Sequence, residues 1–90
     1  MEHVIVFDKY TSVFAETDQW YNELFVKQKV VFIKDLLKFR GYVYLNQVYE
    51  MLGVKWNPEE ENICYIYDEK TPVEFRFFID GKRFDLIIEW

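Results

Sequence analysis

The sequence predicts one α+β domain, with a long amphipathic helix and a short helix packed on a small, mainly antiparallel sheet that ends in a C-terminal hairpin. Three observations carry that reading. Residues 19–40 repeat apolar side chains at helical spacing and stop at Gly41. Asp80-Gly81 divides two runs of β-prone residues, as a tight hairpin turn does. Ninety residues with 51% apolar and 21% aromatic content are enough for one core. One domain rather than two is expected at this length, and the apolar fraction excludes a disordered chain.

The elements follow in order. Val4 to Phe7 is apolar and β-branched, a short strand. A second strand is expected near Tyr10–Phe14. Thr17 or Asp18 is suited to accept from a free first-turn N–H at the start of the long helix. Along that helix Tyr21, Phe25, Phe32, Leu36 and Phe39 recur at steps of 4, 7, 4 and 3 and are expected to face the core. Glu23, Lys27, Lys34 and Lys38 line the polar side, with Glu23 and Lys27 an i,i+4 ion pair. The β-prone run Val30-Val31-Phe32-Ile33 argues against an unbroken helix. Gly41 stands where a left-handed residue ends a helix.

Tyr42 to Leu45 reads as extended. Asn46 is expected to cap a short helix, Gln47 to Leu52, ended by Gly53 and docked through Leu45, Val48, Tyr49 and Leu52. Asn57-Pro58 with Glu59-Glu60-Glu61 reads as a solvated loop. Ile63 to Tyr67 is a strand, followed by a turn at Asp68–Pro72. Val73–Ile79 then meets Lys82–Trp90 through a type I′ Asp80-Gly81 turn. That turn sets Ile79 opposite Lys82, Phe77 opposite Phe84 and Phe75 opposite Leu86. On the other face Arg76 meets Asp85, and Phe78 meets Arg83 as a cation–π pair. Phe75, Phe77, Phe84, Leu86 and Ile88 are expected to cover the helix.

Composition narrows the function. The chain carries a formal charge of −5. Residues 1–45 hold six acids and six bases, and residues 46–90 hold ten acids and five bases, so the whole excess is in the second half. This excludes a generic basic nucleic-acid binder. Lys27, Lys34 and Lys38, with Trp20 close by, are the one basic patch. Weighed against the acidic remainder, they read as a solvated helix face, so nucleic acid is not the expected partner.

Nucleophiles are scarce: Ser12, His3 and Cys64 are the single serine, histidine and cysteine. His3 reads as a solvated terminal residue rather than a catalytic base, and Cys64 as a small buried hydrophobe. A lone cysteine makes no intramolecular disulfide and no cysteine-based zinc site, and a reducing compartment fits it. Isolated glycines build no phosphate loop. Adjacent glutamates at 59–61 do not converge on a cation. No enzyme activity, metal or cofactor is expected, nor a secretory leader. No run of about 18 apolar residues is present, so no membrane span is expected.

A second apolar stripe on the long helix stands apart. Val26, Val30, Ile33 and Leu37 recur at steps of 4, 3 and 4 on the flank opposite the aromatics. Either the N-terminal strand and the short helix cover it, or it is a self-association surface of a homodimer.

The segment Arg40-Gly41-Tyr42-Val43-Tyr44-Leu45-Asn46-Gln47-Val48-Tyr49-Glu50-Met51-Leu52-Gly53-Val54 resembles a motif in small uncharacterised proteins of phages and prophages of Gram-positive bacteria. In those proteins a glycine-aromatic-x-x-Leu-Asn strand leads into a short helix ending Leu-Gly. Tyr67-Asp68 and Phe78-Ile79-Asp80-Gly81 correspond to later pieces. The match covers about half the chain, and Cys64-Tyr65 departs from a Gly-Trp of that group. The resemblance implies a phage or mobile-element origin and a place in the cytoplasm of an infected bacterial host. It implies no catalytic residue.

The expected function is a non-enzymatic interaction protein that inhibits a host or phage protein, such as a CRISPR nuclease or another defence factor. Glu74, Asp80, Asp85 and Glu89 would form an acidic sheet face that competes for a basic groove. Trp56, Tyr65, Tyr67, Phe78 and Trp90, left over once the core is filled, are the candidate aromatic anchors. The alternative is a self-associating assembly component using Val26, Val30, Ile33 and Leu37.

Overall fold

The computed structural model describes residues 1–90. It orders the chain as β1 (Glu2–Phe7), α1 (Gln19–Arg40), β2 (Tyr42–Tyr44), α2 (Leu45–Leu52), a 3-10 turn (Pro58–Glu60), β3 (Cys64–Ile66), β4 (Glu74–Asp80) and β5 (Arg83–Glu89). β5 lies between β1 and β4 and pairs antiparallel with both, while β2 and β3 form a separate antiparallel pair. Ile5 and Phe7 of β1 and Phe84, Leu86 and Ile88 of β5 enter one core with α1, α2, Val43 and Tyr65. No helix is long and apolar enough to cross a membrane.

Local chemistry sets the ends of α1. The Asp18 carboxylate accepts from the N–H groups of Trp20 and Tyr21, satisfying two otherwise free donors. At the other end Gly41 takes φ +88° and donates its N–H to the Leu37 carbonyl. Glu23 and Lys27 pair at 2.8 Å. The helix runs unbroken through Val30–Ile33, because a buried tertiary face outweighs weak local β preference.

The buried side of α1 is the aliphatic stripe, not the aromatic one. Val26, Val30, Ile33 and Leu37 are buried; Tyr21, Phe32 and Phe39 are exposed, and Phe25 and Leu36 sit at the margin. The expected self-association surface is therefore interior, packed within the same chain. α2 and β2 pack on α1, and slim side chains let the backbones approach closely. The large rings of the core come instead from other elements, Phe7, Tyr65 and Phe84 from strands and Tyr49 from α2. Phe25 stacks on Phe7 at 5.6 Å from the edge of this interior.

Four further expectations change. Residues 10–14 form no strand, because the Asp8 carboxylate accepts from the N–H groups of Tyr10 and Thr11 and folds the chain into a turn. Ser12 follows, in an isolated bridge to Val54 with its hydroxyl donating to the Leu52 carbonyl. α2 begins earlier than expected, with Tyr44 as its cap residue and the Tyr44 N–H donating to the Gln47 side chain at 3.0 Å. Asn46 is no cap. It is buried and exchanges two hydrogen bonds with the Asn57 backbone, at 3.3 Å each. Gly53 ends α2 at φ +70°, where a Cβ would lie 2.5 Å from the Phe14 ring.

The hairpin is shifted by two residues. Asp80 pairs with Arg83, Ile79 with Phe84, Phe78 with Asp85 and Phe77 with Leu86. Gly81 alone has positive φ, +60°, so Gly81-Lys82 forms the two-residue loop with glycine first, as a type II′ turn requires. A type I′ Asp-Gly turn would need positive φ at Asp80 as well. A shift of two preserves side-chain parity, so every residue keeps its expected face and changes only its cross-strand neighbour. Arg76 therefore pairs with Glu89 and Glu2 instead of Asp85, and Arg83 with Asp85 instead of Phe78.

Candidate functional site

The outer face of the three-stranded sheet collects most of the charged candidates. Strand alternation turns Glu2, Val4 and Val6 outward from β1, Arg83, Asp85, Ile87 and Glu89 from β5, and Glu74, Arg76, Phe78 and Asp80 from β4. The register sets these in rows: Glu2–Glu89–Glu74, then Val4–Ile87–Arg76, then Val6–Asp85–Phe78, with Arg83–Asp80 beside the turn. Five carboxylates against two guanidinium groups leave this face at −3. Its middle is apolar, with Val4 and Phe78 exposed.

Charge pairing on the face is selective. Arg76 bridges Glu89 on the neighbouring strand and Glu2 on the far one, the latter at 3.5 Å. Arg83 donates to Asp85 at 2.8 Å, and that hydrogen bond pushes the guanidinium pKa further up. Glu74 and Asp80 have no ionic partner. Exposed pairs of this kind contribute little to folding, so the charges are available to shape an encounter with another molecule.

The aromatic candidates divide. Phe78 stands on the acidic face, and Trp90 borders it. With Met1, Glu2, Pro72, Glu74 and Glu89, Trp90 walls a shallow cleft of about 360 Å³. Its ring meets Tyr65 edge-on at 5.0 Å. Tyr65 itself is 2% exposed and belongs to the core, so it is not a partner anchor. It is the middle residue of β3, whose neighbours Cys64 and Ile66 point the other way. Tyr67 lines a different cleft, beside Lys34 and Lys38 of α1. Trp56 is exposed between α2 and the 3-10 turn, off the sheet. The structure thus unites Glu74, Phe78, Asp80, Asp85, Glu89 and Trp90 and leaves Trp56, Tyr65 and Tyr67 elsewhere.

A polar cluster escapes the sequence reading. His3 is paired within β1, opposite Ile88, and is half-buried rather than frayed. Its Nε2 lies 2.7 Å from the Tyr49 hydroxyl and 3.3 Å from a Glu60 carboxylate oxygen. The Tyr49 hydroxyl donates to Glu60 at 2.9 Å, and the Asn57 amide donates to the same oxygen at 2.7 Å. Glu60 is accordingly held in place, not a member of a solvated loop. Burial first, then Glu60, raises the Tyr49 pKa above the usual tyrosine value. Burial does the same to Tyr65, whose hydroxyl has no hydrogen-bond partner. The signal in the sequence is the alternation His3-Ile5-Phe7, which sets the histidine on the inner side.

His3, Tyr49 and Glu60 line none of the surface clefts. The cluster instead ties β1, α2 and the 3-10 turn together. Cys64 is half-buried, and Ser12 is committed to its turn. No group of three His, Cys, Asp or Glu side chains is placed to share a metal ion.

Residues 1–86 match the family of unknown function DUF6353, and the chain belongs to that family. No curated protein and no solved structure matches it.

Proposed function

We propose that this member of a family without an assigned function is a non-enzymatic protein-binding module. It acts as an inhibitor by laying the outer face of its β1–β5–β4 sheet into a basic groove of a partner. The observation that carries this reading is the gathering of five carboxylates, two of them unpaired, around an exposed apolar centre on one sheet face. Such a face offers the charge pattern of a phosphate backbone together with apolar contact, so it competes with nucleic acid for cationic surfaces. The resemblance to phage proteins suggests a nucleic-acid-handling defence protein of a bacterial host as the partner class.

The test pairs capture with competition. Immobilised protein incubated with host extract should retain a partner at moderate salt and release it at high salt. Adding the protein should displace nucleic acid from that partner. Glu74→Lys with Asp80→Lys reverses two exposed charges that support no ion pair and should abolish both effects while the fold persists. Retention that ignores the double reversal, or a partner that keeps its nucleic acid, would sink the reading.

A further inference from the structure

We propose that a second copy of this chain docks on the outward side of α1, helix against antiparallel helix, giving a closed two-fold dimer. Trp20, Tyr21, Leu24, Val31, Phe32 and Phe39 are all exposed on one side of this helix, with Trp20 and Phe39 81% and 86% exposed. They occupy an arc opposite the buried stripe and recur at helical spacing along about 33 Å of helix. Gln28 and Asp35 share this arc, yet six large apolar side chains exposed on one helix face are more than a soluble monomer usually leaves in water.

Charge selects the occupant and its direction. The segment 16–23 carries Glu16, Asp18 and Glu23 and no base; the segment 27–40 carries Lys27, Lys29, Lys34, Lys38 and Arg40 against Asp35. The acidic start of one α1 therefore complements the basic end of another only when the two run antiparallel. The same arrangement brings the Trp20–Tyr21 end of each helix toward Phe39 of the other and the central Val31 and Phe32 toward the two-fold axis. A parallel pair would stack like charges at both ends. Such an interface is isologous and closes at two copies.

The edge strand β4 is a poorer meeting place. An antiparallel β4–β4 pairing about Phe77 would set Glu74 against Asp80 of the second copy, a like-charge contact. The dimer face is also separate from the acidic sheet face, so the two readings stand or fall independently. One helix pair buries little area by interface standards, so the dimer is a weak one formed by folded monomers whose cores are already complete.

Sedimentation equilibrium from micromolar to millimolar protein tests this. The wild type should shift from monomer to dimer mass and go no further. Val31→Glu and Phe39→Glu, both at exposed positions, should each weaken association by at least about tenfold, because a charge must be desolvated at the interface. Far-UV circular dichroism and the urea midpoint should stay unchanged. Lys34→Glu with Lys38→Glu, at exposed positions bordering the strip, should weaken the dimer by opposing acid to acid, and added salt should weaken the wild type. A monomer at millimolar concentration, growth beyond two copies, or a dimer indifferent to Val31→Glu would each overturn the proposal. So would a dimer strengthened by the double charge reversal.

Discussion

The two sides of α1 are both apolar and differ in what they are made of. The inner side carries Val26, Val30, Ile33 and Leu37, slim aliphatic chains that let α2 and β2 come close. The outer side carries Trp20, Tyr21, Phe32 and Phe39, with larger rings and more area. Burial therefore does not follow hydrophobic size. It follows shape, because a core is close-packed and a helix can approach its neighbours only as nearly as its side chains allow.

The largest expected effect breaks this comparison directly. Ile33→Ala, at a position 1% exposed, should cost about 3 kcal/mol of stability, while Phe39→Ala should stay within about 0.5 kcal/mol despite removing more carbon. Urea denaturation at a concentration where the protein is monomeric measures both, and equal losses would show the two sides to be equivalent. Gly53→Ala comes next. Its Cβ would collide with the Phe14 ring at a positive φ, so a loss of about 2 kcal/mol is expected. Phe14 also lies 5.6 Å from Phe25, so the change should loosen the margin where the two sides of α1 meet.

Smaller effects come from the polar groups within the same interior. Tyr49→Phe removes a hydroxyl that serves both His3 and Glu60 and should cost about 1 kcal/mol. Tyr65→Phe removes an unpartnered hydroxyl and should be neutral or stabilising by about 1 kcal/mol. Both tyrosines have pKa values raised from 10.0 in the folded chain, so the fold prefers their protonated forms. Their contribution is complete below pH 10 and declines as pH climbs past it, since the unfolded chain then releases protons that the folded chain retains. Thermal melts across that range should show the decline, and Tyr65→Phe should flatten it.

Short-range chemistry was legible in the sequence, and choices between equivalent surfaces were not. Asp18 and Gly41 bound α1 because each acts on backbone groups within a few residues. Alternation assigns the faces of β4 and β5, and these hold with the turn at Gly81-Lys82 because the register differs from an Asp80-Gly81 turn by an even number. The acidic face followed from the same parity. The buried side of α1 was not legible, since two apolar stripes compete and only the elements that converge on the helix decide between them. Nor was the His3–Tyr49–Glu60 cluster, whose members are brought together by β1 pairing with β5 and α2 docking on the core. Asp8 overrode the apolar run at Tyr10–Phe14 through a turn that strand propensity does not describe.

The strand order β1-β5-β4 also dictates a timetable for synthesis. β5 is the middle strand and emerges from the ribosome after every other element described here. Until residues 83–89 are out, β1 has no neighbour, β4 has no neighbour, and Phe7 lacks its cross-strand partner Phe84. The nascent chain can form α1 and its caps early, because those bonds are local. The sheet must wait, and pairing so distant in sequence slows its assembly. During that interval Phe7 and the inner sides of β1 and β4 lack the strand that joins them, so a chain stalled short of β5 is the form most exposed to aggregation or a protease.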